Sequence, residues 1–294
     1  MRGTIIRALA GFYYVRLEDE RVIECKARGI FRKTGETPLV GDFVNISIDA
    51  GQKGIVEEIG PRRNVFVRPP VANIECMILL ACGVNPVSDP FLIDRITVIA
   101  SLQNAQCIVC VNKADLHPGD DLFAIYEKAG FFTLRTSAIT GEGIDALRQA
   151  TKGKICAFVG NSGVGKSSIL NALEPGFALK TAEVSQKLGR GKHTTRHVEL
   201  FSLSNGAQVA DTPGFSSFDI MQMDLSSKED LQYAFLEFAP YLGKCQFRDC
   251  AHVGEKGCAI IAAMTQGEIQ KTRHDSYMRL YEKAQEIKSW QKKK

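Results

Sequence analysis

The chain has 294 residues, 45% apolar and 24% charged, with a net charge of +4. That length suits two or three domains rather than one small one. No apolar run approaches the ~18 residues of a membrane helix, and Met1-Arg2-Gly3-Thr4 opens no apolar leader, so a cytoplasmic protein without a membrane partner is expected.

Residues 1–65 read as short strands, Gly11–Leu17, Arg21–Cys25, Phe43–Ile48 and Gly54–Ile59. Gly35, Pro38, Gly41 and Asp49-Ala50-Gly51 punctuate them. About five short strands in that length predict a small closed all-β barrel of the OB type. Residues 1–35 hold eight Lys or Arg against four Asp or Glu. Arg28, Phe31, Arg32 and Lys33 could therefore face a polyanion, and a nucleic-acid-binding domain is expected here.

A second domain, residues 66–224, has another texture. Strands Ile74–Ala81, Cys107–Val111, Phe132–Thr136 and Ile155–Val159 alternate with helices Pro90–Leu102, Asp120–Ala129, Ile144–Ala150 and Lys166–Leu173. Strands Val198–Leu203 and Gln208–Ala210 follow. Continuous apolar strands alternating with helices predict an α/β domain whose parallel sheet is covered on both faces. Nine cysteines without an export signal argue against disulfides. Six of them (Cys25, Cys76, Cys82, Cys107, Cys110 and Cys156) sit in apolar strand-like segments and read as small buried hydrophobes. Cys107 and Cys110 spell a C-x-x-C, but in a strand residues three apart point to opposite faces, so no metal or redox site is expected there.

Gly160-Asn161-Ser162-Gly163-Val164-Gly165-Lys166-Ser167-Ser168 follows an apolar strand and opens a helix, which is the setting of a phosphate loop. Its backbone N–H groups can wrap phosphates at a helix N-terminus. Lys166 would neutralise the β and γ phosphates, and the Ser167 hydroxyl would reach Mg²⁺. Asn112-Lys113-Ala114-Asp115 selects the base. A carboxylate only accepts hydrogen bonds, so Asp115 can take both N1–H and the exocyclic amine of guanine, whereas adenine offers an acceptor at N1. Lys113 can lie along the base and Asn112 can tie the loop. Ser137 and Ala138, after the next strand, are placed for a backbone N–H to the guanine O6.

Asp211-Thr212-Pro213-Gly214 ends a strand, with Asp211 set to hold Mg²⁺ through water and the Gly214 N–H to sense the γ phosphate. Between it and the phosphate loop, Gly189–Arg196 could complete the Mg²⁺ shell with a hydroxyl, from Thr195 or alternatively Thr194. Phe215 stands where many GTPases place a water-orienting Gln, so unaided hydrolysis should be slow. His193 is a candidate for that task, a simple loop histidine being the alternative. The base-reading motifs precede the phosphate loop, a rotated order that leaves the packing of the sheet possible.

Residues 225–294 read as helical. Cys245-x4-Cys250-x-His252-x5-Cys258 offers three thiolates and an imidazole, a set suited to one tetrahedral structural Zn²⁺. Residues 271–294 hold eight Lys or Arg against three Asp or Glu, so this third domain, zinc-binding and helical, carries a basic tail that includes Lys288 and Lys292–Lys294.

Together these residues make the chain resemble the circularly permuted GTPases that depend on the small ribosomal subunit, the ribosome biogenesis GTPase A family. The resemblance spans nearly the whole chain. It implies an OB barrel, a permuted GTPase domain and a zinc-binding helical domain. It also implies late maturation of the small (30S) subunit, rRNA binding, and GTP hydrolysis stimulated by that subunit. The family's nucleotide motifs fall on Asn112, Lys113, Asp115, Gly160–Ser168, Thr195, Asp211 and Gly214, and its zinc ligands on Cys245, Cys250, His252 and Cys258. Its proposed catalytic histidine falls on His193, beside Lys166 and Thr195. A monomer is expected. A small-molecule kinase is the rival reading, and a nucleic-acid-binding module with negligible turnover is another; no second substrate pocket or phosphoacceptor base is visible in the sequence.

Overall fold

A computed structural model describes residues 1–31, 35–49, 53–67, 69–177, 198–211 and 228–286. The chain opens with β1 (Arg2–Leu9), β2 (Phe12–Leu17), β3 (Val22–Ala27), β4 (Phe43–Ile48) and β5 (Gly54–Ile59). They pair in the order β1-β2-β3-β5-β4, and β4 returns to β1 to close a barrel. Ile5, Val15, Cys25, Val44, Ile46 and Val56 fill it. The strands read from the sequence lie within a residue or two of their expected bounds. β1 was not among them, and neither was the short hairpin of β6 (Val65–Val67) and β7 (Pro70–Ala72).

The second region is built from β8 (Cys76–Ala81), β9 (Gln106–Asn112), β10 (Phe132–Thr136), β11 (Ile155–Val159), β12 (Glu199–Ser202) and β13 (Gln208–Asp211). Their order is β10-β9-β8-β11-β13-β12, all parallel except β12. Every residue of β8 and β11 is buried. This is why their sequences run continuously apolar rather than alternating. Cys107 and Cys110 belong to the apolar clusters on opposite faces of this sheet, as their three-residue spacing predicts, and burial pushes both thiols above the ordinary cysteine value. All six cysteines of the apolar segments are buried and unbridged, five of them in strands and Cys82 directly after β8.

Helices α1 (Pro90–Leu102), α2 (Asp120–Lys128), α3 (Ile144–Thr151) and α4 (Lys166–Leu173) cover the sheet. α1 starts sharply because Asp89 caps it, accepting the Phe91 N–H at 3.0 Å, and Pro90 occupies its first turn. A third apolar cluster gathers α5 (Lys228–Ala234), α6 (Ala259–Thr265) and α7 (Lys271–Glu286). It includes Phe91 and Val98 of α1, so the C-terminal helices are packed onto a helix that covers the sheet. No helix among the described residues is long and apolar enough to cross a membrane.

The barrel and the sheet are continuous. β1 pairs with β12 through Arg7 and Glu199, which makes one run of eleven strands. The connection from barrel to sheet is pinned by Asn64. Its amide donates to the Ile74 and Gln103 carbonyls at 2.7 and 2.8 Å and accepts the Ile74 N–H at 3.0 Å.

Candidate functional site

The turn from β11 into α4 carries the phosphate-loop motif. Two of its positions require glycine for visible reasons. Gly160 has φ 149°, and a Cβ there would lie 2.5 Å from the Leu80 carbonyl of β8; Gly165 has φ 103°, and a Cβ there would strike the Asn112 amide. Lys166 Nζ donates to the carbonyls of Gly160 and Asn161 at 2.5 and 2.9 Å. Burial pushes its ammonium below the ordinary lysine value. Ser167 and Ser168 are exposed in the first turn of α4.

The base-reading motif leaves the end of β9 beside that loop. Asn112 is 3% exposed. Its amide donates to the Val164 carbonyl at 2.8 Å, and its oxygen accepts the Thr136 hydroxyl at 3.1 Å. One side chain thus joins the phosphate loop, the Asn-Lys-x-Asp loop and the end of β10. Lys113 takes a left-handed backbone, φ 62°, and its Nζ donates to the Asn85 carbonyl at 2.7 Å. Asp115 is exposed, and among the described residues its carboxylate accepts no hydrogen bond, which leaves both oxygens available. Ser137 is buried, and its hydroxyl accepts the Ile139 and Thr140 N–H groups, each at 3.2 Å, so that Ala138 sits inside a fixed turn. His193, Thr194, Thr195, Gly214 and Phe215 lie outside the described residues, as does the side chain of Asp211. So do Arg32, Lys33, Lys288 and Lys292–Lys294.

The second cluster is fully described. The Cys245, Cys250 and Cys258 sulfurs and a nitrogen of His252 all lie within 4.8 Å of one another. His252 Nδ1 is 3.5 Å from Cys245 Sγ and 3.4 Å from Cys258 Sγ. Its Nε2 is 3.0 Å from Gln232 Oε1, and Nε2–H donating there leaves Nδ1 as the lone-pair nitrogen. This donor set fits a metal ion, and these four residues could hold one; bound there, it would supply structural cross-linking with no open coordination position. Glu255 accepts the N–H groups of Ala251, Val253 and Gly254 at 2.8, 3.0 and 3.1 Å and so shapes the turn between His252 and Cys258. Burial raises its carboxyl, but those backbone donors prevail and hold it down at about 2.

Sequence reasoning missed Gln232, and it also missed a buried charge cluster. Arg273 of α7 has no exposed surface. It donates to Asp94 Oδ1 at 2.7 Å, to Glu237 at 2.6 and 3.1 Å, and to the Thr97 hydroxyl at 3.0 Å. Tyr126 donates to the same Asp94 oxygen at 2.8 Å. The guanidinium also lies over Phe235, 4.7 Å from its centroid. Desolvation lowers the Arg273 pKa, but the Asp94 and Glu237 carboxylates outweigh it and raise the value overall. The available signal was Asp94-Arg95, two charges in the middle of the otherwise apolar α1.

A phosphate loop locked by Asn112 to a guanine-type motif, on a parallel sheet whose base-reading strands come first in the chain, defines a circularly permuted GTPase. A β-barrel precedes it and a Cys3His cluster follows it. The chain belongs to the RsgA GTPase family: it matches the RsgA GTPase domain over residues 59–221 and the RsgA N-terminal domain over residues 2–56. It is accordingly a GTP hydrolase. A further match, to the family described as 50S ribosome-binding GTPase, spans residues 155–288 and begins at β11. Two relatives bear the name small ribosomal subunit biogenesis GTPase RsgA. The one from Caldanaerobacter subterraneus is 42% identical over 97% of this chain and 96% of its own length. The one from Geobacillus kaustophilus is 44% identical over 94% of each. Among solved structures, YjeQ from Thermotoga maritima superposes with a TM-score of 0.83 at 32% identity, covering 98% of this chain and 99% of its own. YloQ, described as a circularly permuted GTPase, gives 0.80 at 34% identity, covering 98% and 96%.

Proposed function

We propose that this GTPase serves the biogenesis of the small ribosomal subunit, binding the subunit's rRNA late in maturation and hydrolysing GTP faster in its presence. The observation that carries this reading is the near full-length likeness to relatives named for that role, 42% and 44% identical. The barrel adds support. A groove of about 490 Å³ runs beside Phe12, Tyr13, Lys26, Arg28 and Phe31, and Lys26 Nζ stands 5.3 Å over the Phe12 ring. Aromatic faces interleaved with cations suit unpaired bases and phosphates.

In this reading Asp115 accepts from guanine, Lys113 flanks it, and Ser137 and Ala138 present backbone N–H to its O6. Gly160–Ser168 wrap the phosphates. Lys166 Nζ, desolvated and already aimed into the loop, offsets their charge. Ser167, Thr195 and Asp211 would hold Mg²⁺, which would neutralise charge on the phosphate oxygens. His193 orients water, and Gly214 senses the γ phosphate. Cys245, Cys250, His252 and Cys258 hold one structural Zn²⁺ per chain. The protein works as a cytoplasmic monomer, with the barrel in residues 1–65, the GTPase domain in 66–224 and the zinc domain with its basic tail in 225–294.

The test is co-sedimentation and turnover with purified small subunits, comparing GDP with a non-hydrolysable GTP analogue. Preferential binding in the GTP-like state and stimulated turnover are expected. Because one matching family is described as 50S ribosome-binding, large subunits form the parallel arm; stimulation by them alone would sink the small-subunit reading.

A further inference from the structure

One edge of β1 serves two different partners. Its first residues close the barrel against β4, Arg2 opposite Asn45, Gly3 opposite Val44 and Thr4 opposite Phe43. Arg7 instead stands opposite Glu199 of β12. The change of partner coincides with a register irregularity between Ile5 and Arg7, the kind of bulge that bends a strand and re-aims the residues beyond it. β12 continues the row, with Glu199 opposite Asp211 of β13. β13 lies against β11, the strand that opens the phosphate loop. A single row of positions, Arg7–Glu199–Asp211, therefore leads from the barrel to the edge of the nucleotide site over two strand spacings, about 10 Å.

Arg7 is an awkward residue for a strand that merely needs to adhere. Its Nε is buried and has no hydrogen-bond partner among the described residues. Its guanidinium lies 3.9 Å over the Tyr14 ring, and its Nη1 is 3.7 Å from Glu199 Oε1, with the two side chains 23% and 14% exposed. A second barrel arginine, Arg16, donates to the Ser202 hydroxyl at the other end of β12. The barrel's other attachment, through Asn64, is made of bonds between 2.7 and 3.0 Å. Within the β1–β12 joint, the Arg7–Glu199 pair is thus a longer contact than those bonds. A half-buried ion pair at 3.7 Å can close or open with a small rotation of the barrel, and in a partly desolvated place its strength varies steeply with distance.

We propose that Arg7 is a positioning residue for subunit-stimulated GTP turnover only: acting through Glu199 it couples β12, and through β12 the backbone of Asp211, to the barrel, so that RNA seated on the barrel is reported to the nucleotide site. The proposal rests on the proposed function, in which the barrel takes rRNA and Asp211 belongs to the magnesium side of the site. It assigns the sensing step to a contact that touches neither nucleotide nor RNA.

The experiment uses the full chain, its Arg7→Gln and Glu199→Gln variants, and the exchanged pair Arg7→Glu with Glu199→Arg. Turnover is measured alone and with small subunits, beside GDP affinity, co-sedimentation and thermal unfolding. Each single variant should keep its unstimulated turnover, GDP affinity and subunit binding within about twofold of the parent. Its stimulated kcat should fall about tenfold, the scale of an ordinary coupling energy, and the exchanged pair should recover most of that loss. Unchanged stimulation in the single variants would overturn the proposal. So would a parallel fall of unstimulated and stimulated turnover, or an exchanged pair no better than the singles. A parent that small subunits fail to stimulate would overturn the underlying reading and the proposal with it, a result distinguishable from the others because it appears before any substitution.

Discussion

Gln232 Oε1 lies 3.0 Å from His252 Nε2, and this contact sets which ring nitrogen faces the sulfurs of Cys245 and Cys258. Partners of this kind fix ligand orientation and raise ligand basicity. Gln232→Leu should therefore weaken metal binding about 10- to 100-fold. Competition with a chromophoric chelator measures this, and an unchanged affinity would remove Gln232 from the metal site.

Glu255 gives the same turn a pH dependence. Its folded value of about 2 lies below the ordinary 4.5. Its contribution is therefore complete above pH 4.5 and is lost as pH falls through the folded value. At neutral pH Glu255→Gln should melt at a lower temperature than the parent, and the gap should close progressively between about pH 4.5 and 2. Comparing the two proteins at each pH cancels metal loss common to both. A gap independent of pH would show that the carboxylate's charge is immaterial.

Arg273 predicts a sharper effect. Truncation to Ala strands Asp94 and Glu237 in the interior, and breaking a buried ion pair from one side costs about 3–5 kcal/mol. Converting the whole group together, as Asp94→Asn, Glu237→Gln and Arg273→Met, should cost much less, because no uncompensated charge remains. Denaturant unfolding of the two variants decides the matter; equal losses would mean that packing rather than charge balance governs this junction.

The fourth prediction concerns the base. Asp115→Asn should weaken GTP and GDP binding by about 1.5–3 kcal/mol, the worth of hydrogen bonds to a charged group. It should also improve binding of xanthine nucleotides, whose C2 carbonyl accepts where guanine donates. Equilibrium titration with both nucleotides checks this, and parental GDP affinity in the variant would exclude Asp115 as the base reader.

Legibility in the sequence depends on how local each signal is. Ile155–Val159 and Lys166–Leu173 match their expected bounds, because a fully buried strand is uniformly apolar and the phosphate loop marks a helix start; Phe132–Thr136 matches as well, although only Thr136 in it is buried. α1 was readable from Pro90. β1 was not, for only Ile5 in Arg2–Leu9 is buried and no alternation shows; its identity comes from three partners elsewhere in the chain. β6 and β7, three residues each, are too short for any period. The Cys3His cluster stood out within fourteen residues, 245–258, whereas Gln232 reaches His252 from twenty residues away. Arg273 meets Asp94 across 179 residues, and no local pattern encodes such a pairing.

The rotated order also constrains how the protein is made. Synthesis delivers β8, β9 and β10 first, and these pair among themselves. The other edge of β8, entirely apolar, has its partner only once β11 emerges, at residue 155. Until then the nascent chain carries an open, hydrophobic strand edge, the feature that invites pairing with a foreign strand. The residues proposed to read guanine, Asn112, Asp115, Ser137 and Ala138, are made within this interval, yet the Val164 carbonyl that secures Asn112 is not. Nucleotide can stabilise the emerging domain only after its most aggregation-prone stage has passed, which makes the long stretch between β8 and β11 the place where a chaperone would have the most to shield.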